Sequence, residues 1–193
     1  MGSMGLLASY LIPGLWVAWL AAWWLAAIRT KRTLRRESLG SRLTYTVPLW
    51  IAAWLLASSR VPTAALTARF VPRANWLYAT SVVLVVVGLG FAAWARVYLG
   101  RNWSAAVTLK HDHELIRSGP YRWVRTPIYT GILIALAGSA LARGQWSGVL
   151  AVAIAFGSFW YKARLEERVM HEAFGVEYDA YKREVRSLIP FVL

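Results

Sequence analysis

At 193 residues, 58% of them hydrophobic and 16% charged, with a mean hydropathy of +0.44 and 12 tryptophans, the chain is too apolar for a soluble domain of its size. It has no cysteine, which excludes a disulfide framework, a thiol nucleophile, a cysteine metal site and S-acylation. The formal net charge of +13 would suit nucleic acid on a soluble fold; here the cations flank apolar runs, so they are assigned to membrane sides and lipid head groups, and no nucleic-acid partner is expected.

Met1-Gly2-Ser3 ahead of Met4 reads as a cloning leader and is set aside. Leu6 to Ile28 is free of charge and, at about 1.5 Å per residue, long enough for a hydrocarbon core of about 30 Å. No positive region precedes it, which favours a retained anchor over a cleaved signal. Its Trp16, Trp19, Trp23 and Trp24 suit interfacial anchoring, lipid contact or self-association equally well. Arg29 to Arg42 is dense in Arg and Lys and marks a cytoplasmic loop. Leu43 to Ser59 is a second, shorter span beginning near Pro48; Arg60 to Asn75, broken by Pro62 and Pro72, is an external loop. Trp76 to Ala95 is the third span, in which Gly88 and Gly90 suit close helix packing, since no strand precedes them as a dinucleotide fingerprint requires.

Tyr98 to Arg125 is the one long polar segment, and its Trp and Tyr content argues for a folded, functional loop. Gly119-Pro120 punctuates a turn, and Thr126-Pro127 starts a helix with the Thr hydroxyl as N-cap and Pro at the first helical position. Such a helix start offers partial positive charge to an anion. Ile128 to Ala142 and Trp146 to Tyr161 form a tight helical hairpin across Arg143-Gly144-Gln145. Lys162 to Val185 reads as an amphipathic cytoplasmic helix or pair of helices, broken at Phe174-Gly175, with Leu165, Val169 and Phe174 as its apolar stripe. The expected fold class is therefore all-α: a polytopic integral membrane protein of about five transmembrane helices with a cytoplasmic C-terminal helical segment. Residues 1–97 form an N-terminal three-span bundle and 98–193 the region that carries the chemistry. This topology leaves 18 of the 22 Lys and Arg inside and four, Arg60, Arg69, Arg73 and Arg143, outside.

Two groups of polar residues invite chemistry. Glu166-Glu167 lies just past the last span, among Lys162, Arg164 and Arg168; it is either a solvated face with i,i+4 pairs such as Lys162 to Glu166, or a carboxylate poised to accept hydrogen bonds from ribose hydroxyls or an amino group. His111, Asp112, His113 and Glu114 are adjacent, so they do not converge on one point, and His171 stands apart; no metal site is expected. No Ser/His/Asp arrangement is evident around Ser104 or Ser118.

In order and spacing, Gly100 to Ser104 (GRNWS), His113-Glu114-Leu115, the run GPYRWVRTPIYTG and EERVMHEAFGVEYDAYKREV ending in Ile189-Pro190 resemble the isoprenylcysteine carboxyl methyltransferase family of membrane methyltransferases. The resemblance spans roughly the C-terminal half. It implies an S-adenosylmethionine-dependent enzyme in a prokaryotic inner membrane, with its active site facing the cytoplasm. The implied acceptor is lipophilic, isoprenoid-like, and enters from the bilayer among membrane lipids. Carried over residue by residue, the cofactor contacts fall on His113, Glu114, Leu115, Ile116, Tyr121, Thr126, Pro127, Ile128, Tyr129 and Glu166. The catalytic, acceptor-facing cations are Lys162, Arg164 and Arg125. Lys162 stands where the family has Arg, and Thr126 where it has the His of an Arg-His-Pro-x-Tyr pattern; the first change removes a bidentate fork, the second an imidazole. NADPH-dependent membrane reductases of the sterol type resemble the same region, and a non-catalytic protein retaining the fold is the third reading.

Overall fold

The computed structural model of the chain describes residues 3–27, 33–36, 38–61, 63–100, 103, 108–110 and 115–189. Among them are the long helices α1 (Ser3–Ala27), α2 (Leu39–Ala57), α4 (Asn75–Leu99), α5 (Pro127–Arg143) and α6 (Trp146–Phe174), and the short helices α3 (Ala64–Thr67) and α7 (Val176–Glu184). A 3-10 turn covers Gly119–Arg122. A two-stranded antiparallel ribbon joins β1 (Thr33–Arg36) to β2 (Thr108–Lys110), with Thr33 opposite Lys110 and Arg36 opposite Thr108.

Helices α1 and α4 are long and apolar enough to cross a membrane, and α5 is a shorter apolar helix. Both long ones leave apolar side chains uncovered, among them Leu6, Val17, Leu20 and Trp24 on α1 and Val83, Val86 and Val87 on α4. That much bare apolar surface has a place in lipid and none in water. The two run parallel: Gly5 lies against the Tyr78 ring, Trp19 donates its indole N–H to Leu89 O at 3.1 Å, and Arg96 donates to Ala26 O at 3.0 Å. Trp16 likewise donates to Ser139 Oγ of α5 at 3.0 Å. Three of the α1 tryptophans thus pack inward, with Trp19 and Trp23 stacked 4.4 Å apart, while Trp24 stays exposed.

Small residues bring α4 and α5 into backbone contact. A Cβ on Gly131 would sit 2.5 Å from Gly88 O and 2.7 Å from Ala92 N, and one on Gly138 would sit 2.7 Å from Ser81 O. Gly131→Leu is expected to lower stability by about 1–3 kcal/mol through overpacking, read as a lower unfolding midpoint in detergent. Gly90, whose Cβ would meet nothing within 4 Å, gives the control: Gly90→Ala should leave the midpoint at or above wild type. Gly88 therefore serves close packing as expected, and Gly90 does not.

Helices α5 and α6 are joined by Gly144 and Gln145 alone, with Gly144 in the left-handed region at φ 65. Beside this turn the Arg143 guanidinium donates to the last carbonyls of α2, to Leu56 O at 2.7 Å and to Ser58 O. A cation there satisfies acceptors that a helix end leaves unpaired. The ends of α1 and α4, the 3-10 turn, the start of α5, the second half of α6 and α7 gather at the opposite end.

The structure departs from sequence expectation at several points. The ribbon is an exception to an all-α fold. Helix α2 starts before Pro48, at Leu39, because Ser38 caps it by accepting from Ser41 N at 3.2 Å. Lys162 to Phe174 is no separate helix but the continuation of α6, which ends before Gly175. The side of that extension facing the protein is made by Lys162, Ala163 and Glu167, with Leu165, Val169 and Phe174 only half-buried.

Candidate active site

The turn at Gly119–Arg122 buries Pro120 and Tyr121, and Val124 after it is wholly enclosed. The chain then enters α5 with Thr126 at the N-cap position and Pro127 first in the helix. The Thr126 hydroxyl does not cap α5, as its sequence position suggested. It donates to Ser187 O at 2.8 Å, the same carbonyl that accepts Thr126 N–H at 3.0 Å. Arg125 N–H donates to Arg186 O at 2.8 Å, Thr130 Oγ1 to Leu188 O at 2.7 Å, and Val124 and Arg186 form a parallel bridge. The segment after α7 is thereby strapped along 124–130, which explains a short hydroxyl side chain at position 126.

In the first turn of α5, the Tyr129 hydroxyl donates to Glu166 Oε1 of α6 at 2.5 Å, joining residues 37 apart in sequence. The Tyr129 ring stacks on Phe159 of α6 at 4.8 Å and 12°. The Lys162 ammonium, one turn before Glu166, lies 5.0 Å from the Tyr45 ring centroid and 5.4 Å from that of Tyr129. Burial first, and then the Glu166 carboxylate, push the Tyr121 phenol well above its ordinary value, so it stays a neutral donor. Tyr181 of α7 donates to Tyr121 O, which ties α7 to the turn. Ile116 packs on the apolar cluster that contains Tyr121, Ile128, Tyr129 and Phe159.

A second charged group lies beside this one. Arg125 pairs with Glu167 of α6, each side chain 7% exposed, and also donates to Val185 O and to Lys182 O at 3.2 Å. Lys182 Nζ is 3.4 Å and Arg164 3.8 Å from the other Glu167 oxygen. Burial alone would raise the Glu167 carboxyl, but the Arg125 bond and charge, with Lys182, outweigh it and hold it below its ordinary 4.5. A folded-state value that is depressed means the stabilisation is complete above the ordinary value and lost as pH falls through the folded one. The unfolding midpoint is therefore expected to drop on acidification below pH 4.5, and Glu167→Gln to flatten that drop. An identical slope in the variant would remove Glu167 as its source.

The structure brings together Ile116, Tyr121, Ile128, Tyr129, Lys162 and Glu166 at one end of the helices, with Thr126 and Pro127 as scaffold beneath them, and leaves Leu115 half-buried next to Ile116 in the chain. His113 and Glu114 lie outside the described residues. Arg125 faces Glu167 and the C-terminal strap, and Arg164 is half-exposed with its guanidinium 4.5 Å over the Trp160 ring. Sequence reading missed Tyr45 and Phe159, which carry no motif, and the pairing role of Glu167. It also missed Arg96, buried at the end of α4, where it donates to Gly100 O and Ala26 O and lies 4.3 Å from the Trp103 ring centroid. Among the described residues no cluster of His, Asp and Glu suits a metal ion.

The family model for phospholipid methyltransferase matches residues 76–177, just over half of the chain. The chain belongs to the phospholipid methyltransferase family. The matched stretch runs from α4 into α7 and includes Tyr121, Tyr129, Lys162 and Glu166, but neither Tyr45 nor the strap at 185–188. A probable protein-S-isoprenylcysteine O-methyltransferase of Oryza sativa subsp. indica is 30% identical over 114 residues, 58% of this chain and 60% of that protein. The protein-S-isoprenylcysteine O-methyltransferase of Saccharomyces cerevisiae is 32% identical over 113 residues, 57% of this chain and 47% of its own length. That of Mus musculus is 31% identical over 121 residues, 61% of this chain and 43% of its own. This member of the phospholipid methyltransferase family thus spans between 43% and 60% of the length of these relatives. A solved structure of the eukaryotic intramembrane Ras methyltransferase ICMT shares the fold, with a TM-score of 0.52 at 20% identity over 82% of this chain and 55% of that one.

Proposed function

We propose that this chain is an S-adenosylmethionine-dependent membrane methyltransferase acting on the carboxylate of an isoprenylated cysteine or a related lipophilic acceptor. The observation that carries the reading is the Tyr129–Glu166 hydrogen bond, with the buried Lys162 ammonium over the same ring, in a member of this family. The names of the curated relatives supply the acceptor class.

The donor set suits such a cofactor. Glu166 offers carboxylate oxygens to amino or hydroxyl groups, Tyr121 and Tyr129 offer aromatic faces and phenol O–H groups, and Leu115, Ile116 and Ile128 offer apolar surface. His113 and Glu114 complete the set by resemblance. When bound, S-adenosylmethionine supplies an electrophilic methyl group on a sulfonium. The protein then needs no covalent intermediate; its residues hold donor and acceptor in line and keep water from the nucleophile, which is worth several powers of ten in effective molarity. Lys162 orients an anionic acceptor by charge, while Arg125 and Arg164 act through Glu167 on the scaffold. Five crossings put the site at the cytoplasmic boundary of the bilayer, with residues 98–193 carrying the chemistry and the acceptor arriving from the lipid side.

Calorimetric titration of the detergent-solubilised protein with S-adenosylhomocysteine and with NADPH tests the reading. Binding of the first alone supports it, whereas binding of NADPH alone means a reductase. Binding of neither means a non-catalytic membrane protein. Radiolabelled methyl transfer into a lipid extract of the source cells then identifies the acceptor.

A further inference from the structure

We infer that Tyr45, on α2, is a positioning residue: together with Tyr129 it holds the Lys162 ammonium over aromatic rings and so sets the preference of the acceptor site for a carboxylate. The part concerning the acceptor rests on the methyltransferase reading above. The three residues are 4%, 9% and 8% exposed, and Lys162 Nζ lies 5.0 Å and 5.4 Å from the two ring centroids. Buried ammonium is unfavourable unless something offsets the lost water, and the negative faces of aromatic rings do so directionally. A lysine differs from an arginine in having a point charge on a flexible stem and no rigid fork, so its surroundings must fix where the charge sits. Tyr129 is itself fixed, by its bond to Glu166 and its stack on Phe159. Tyr45 supplies the second ring, and it comes from outside the stretch that the family model matches, in a helix packed along α6. A helix from the N-terminal half thus tunes the charge seen by the acceptor.

The test uses the full chain in detergent with Tyr45→Phe, which keeps the ring, and Tyr45→Leu, which removes it. N-acetyl-S-farnesylcysteine and its neutral carboxamide serve as acceptor and competitor. Tyr45→Leu is expected to raise KM for the carboxylate about tenfold, with carboxamide inhibition and S-adenosylhomocysteine affinity unchanged, while Tyr45→Phe, which keeps the ring, retains most of the wild-type preference. In lysine labelled with 13C at Cε, the Lys162 resonance, assigned by its loss in Lys162→Arg, is expected upfield through ring currents in wild type and Tyr45→Phe. It should move back in Tyr45→Leu. If Tyr45→Leu does not fold, Tyr45→Met fills similar space without a ring face and carries the same readouts. An unshifted Lys162 resonance in wild type, an unchanged carboxylate KM in the ring-less variant, or equal losses for carboxylate and carboxamide each overturn the role of Tyr45 while the cofactor titration still stands. Absence of S-adenosylhomocysteine binding by wild type instead brings down the methyltransferase reading, and the acceptor role of Tyr45 with it.

Discussion

Glu166→Ala is expected to weaken S-adenosylhomocysteine binding by about 10- to 100-fold, because a hydrogen bond to a charged group contributes roughly 1.5–3 kcal/mol. The fold should survive: Glu166 is half-buried, and the Tyr129 side chain that donates to it keeps its ring stacked on Phe159. Helical circular dichroism and elution volume in detergent should therefore match wild type. Glu166→Gln separates charge from shape, since the amide still accepts from Tyr129 but no longer favours a cationic amino group, and it should fall between wild type and alanine. Tyr129→Phe should cost less than either, because it removes one donor to the carboxylate and keeps the ring that faces Lys162. Wild-type affinity in both Glu166 variants would take this residue out of the site and leave the Tyr129 bond as mere helix packing.

Much of the framework was legible because lipid imposes a simple grammar. Uncharged apolar runs announce α1 and α4, and Arg143-Gly144-Gln145 announces the α5–α6 hairpin, since glycine tolerates the left-handed turn at 144. Turn-formers between basic residues likewise drew attention to 115–131, where Tyr121 and Tyr129 lie. Charge density ended the last long helix too early at Tyr161: α6 runs on to Phe174 because Lys162, Ala163 and Glu167 pack against the protein, a face that charge counting treats as solvated. Pro48 was read as a boundary, whereas Ser38 starts the helix and the proline is carried inside it. The remaining misses are non-local. Nothing near Tyr45 in the chain points to a lysine 117 positions on, and nothing near Thr126 says that its hydroxyl answers a carbonyl at Ser187.

Arg125→Ala should cost about 3–5 kcal/mol, the largest stability loss expected of any single change here, because it leaves the Glu167 carboxylate buried with its principal partner gone. Lys182 and Arg164 stay within reach of Glu167, but both are about half-exposed and neither bridges to Val185 and Lys182 main chain as Arg125 does. The loss should therefore appear in a particular place, the strap over 124–130. Trypsin reports on it directly, since cleavage after Arg186 requires its carbonyl to leave Arg125 N–H and the chain to lift off Thr126 and Thr130. Wild type should resist cleavage there, and the variant should be cut before the helices unfold. The double change Arg125→Leu with Glu167→Leu discriminates between a lost charge partner and a lost shape. Replacing both members of a buried pair with apolar groups is often near neutral, so the double variant should recover much of the midpoint while remaining cleavable, because the main-chain acceptors of Arg125 are still unanswered. If the single variant is as stable and as protected as wild type, the Arg125–Glu167 pair is not what holds the C-terminal strap, and the main-chain bonds of 124–126 with the Thr126 and Thr130 hydroxyls hold it instead.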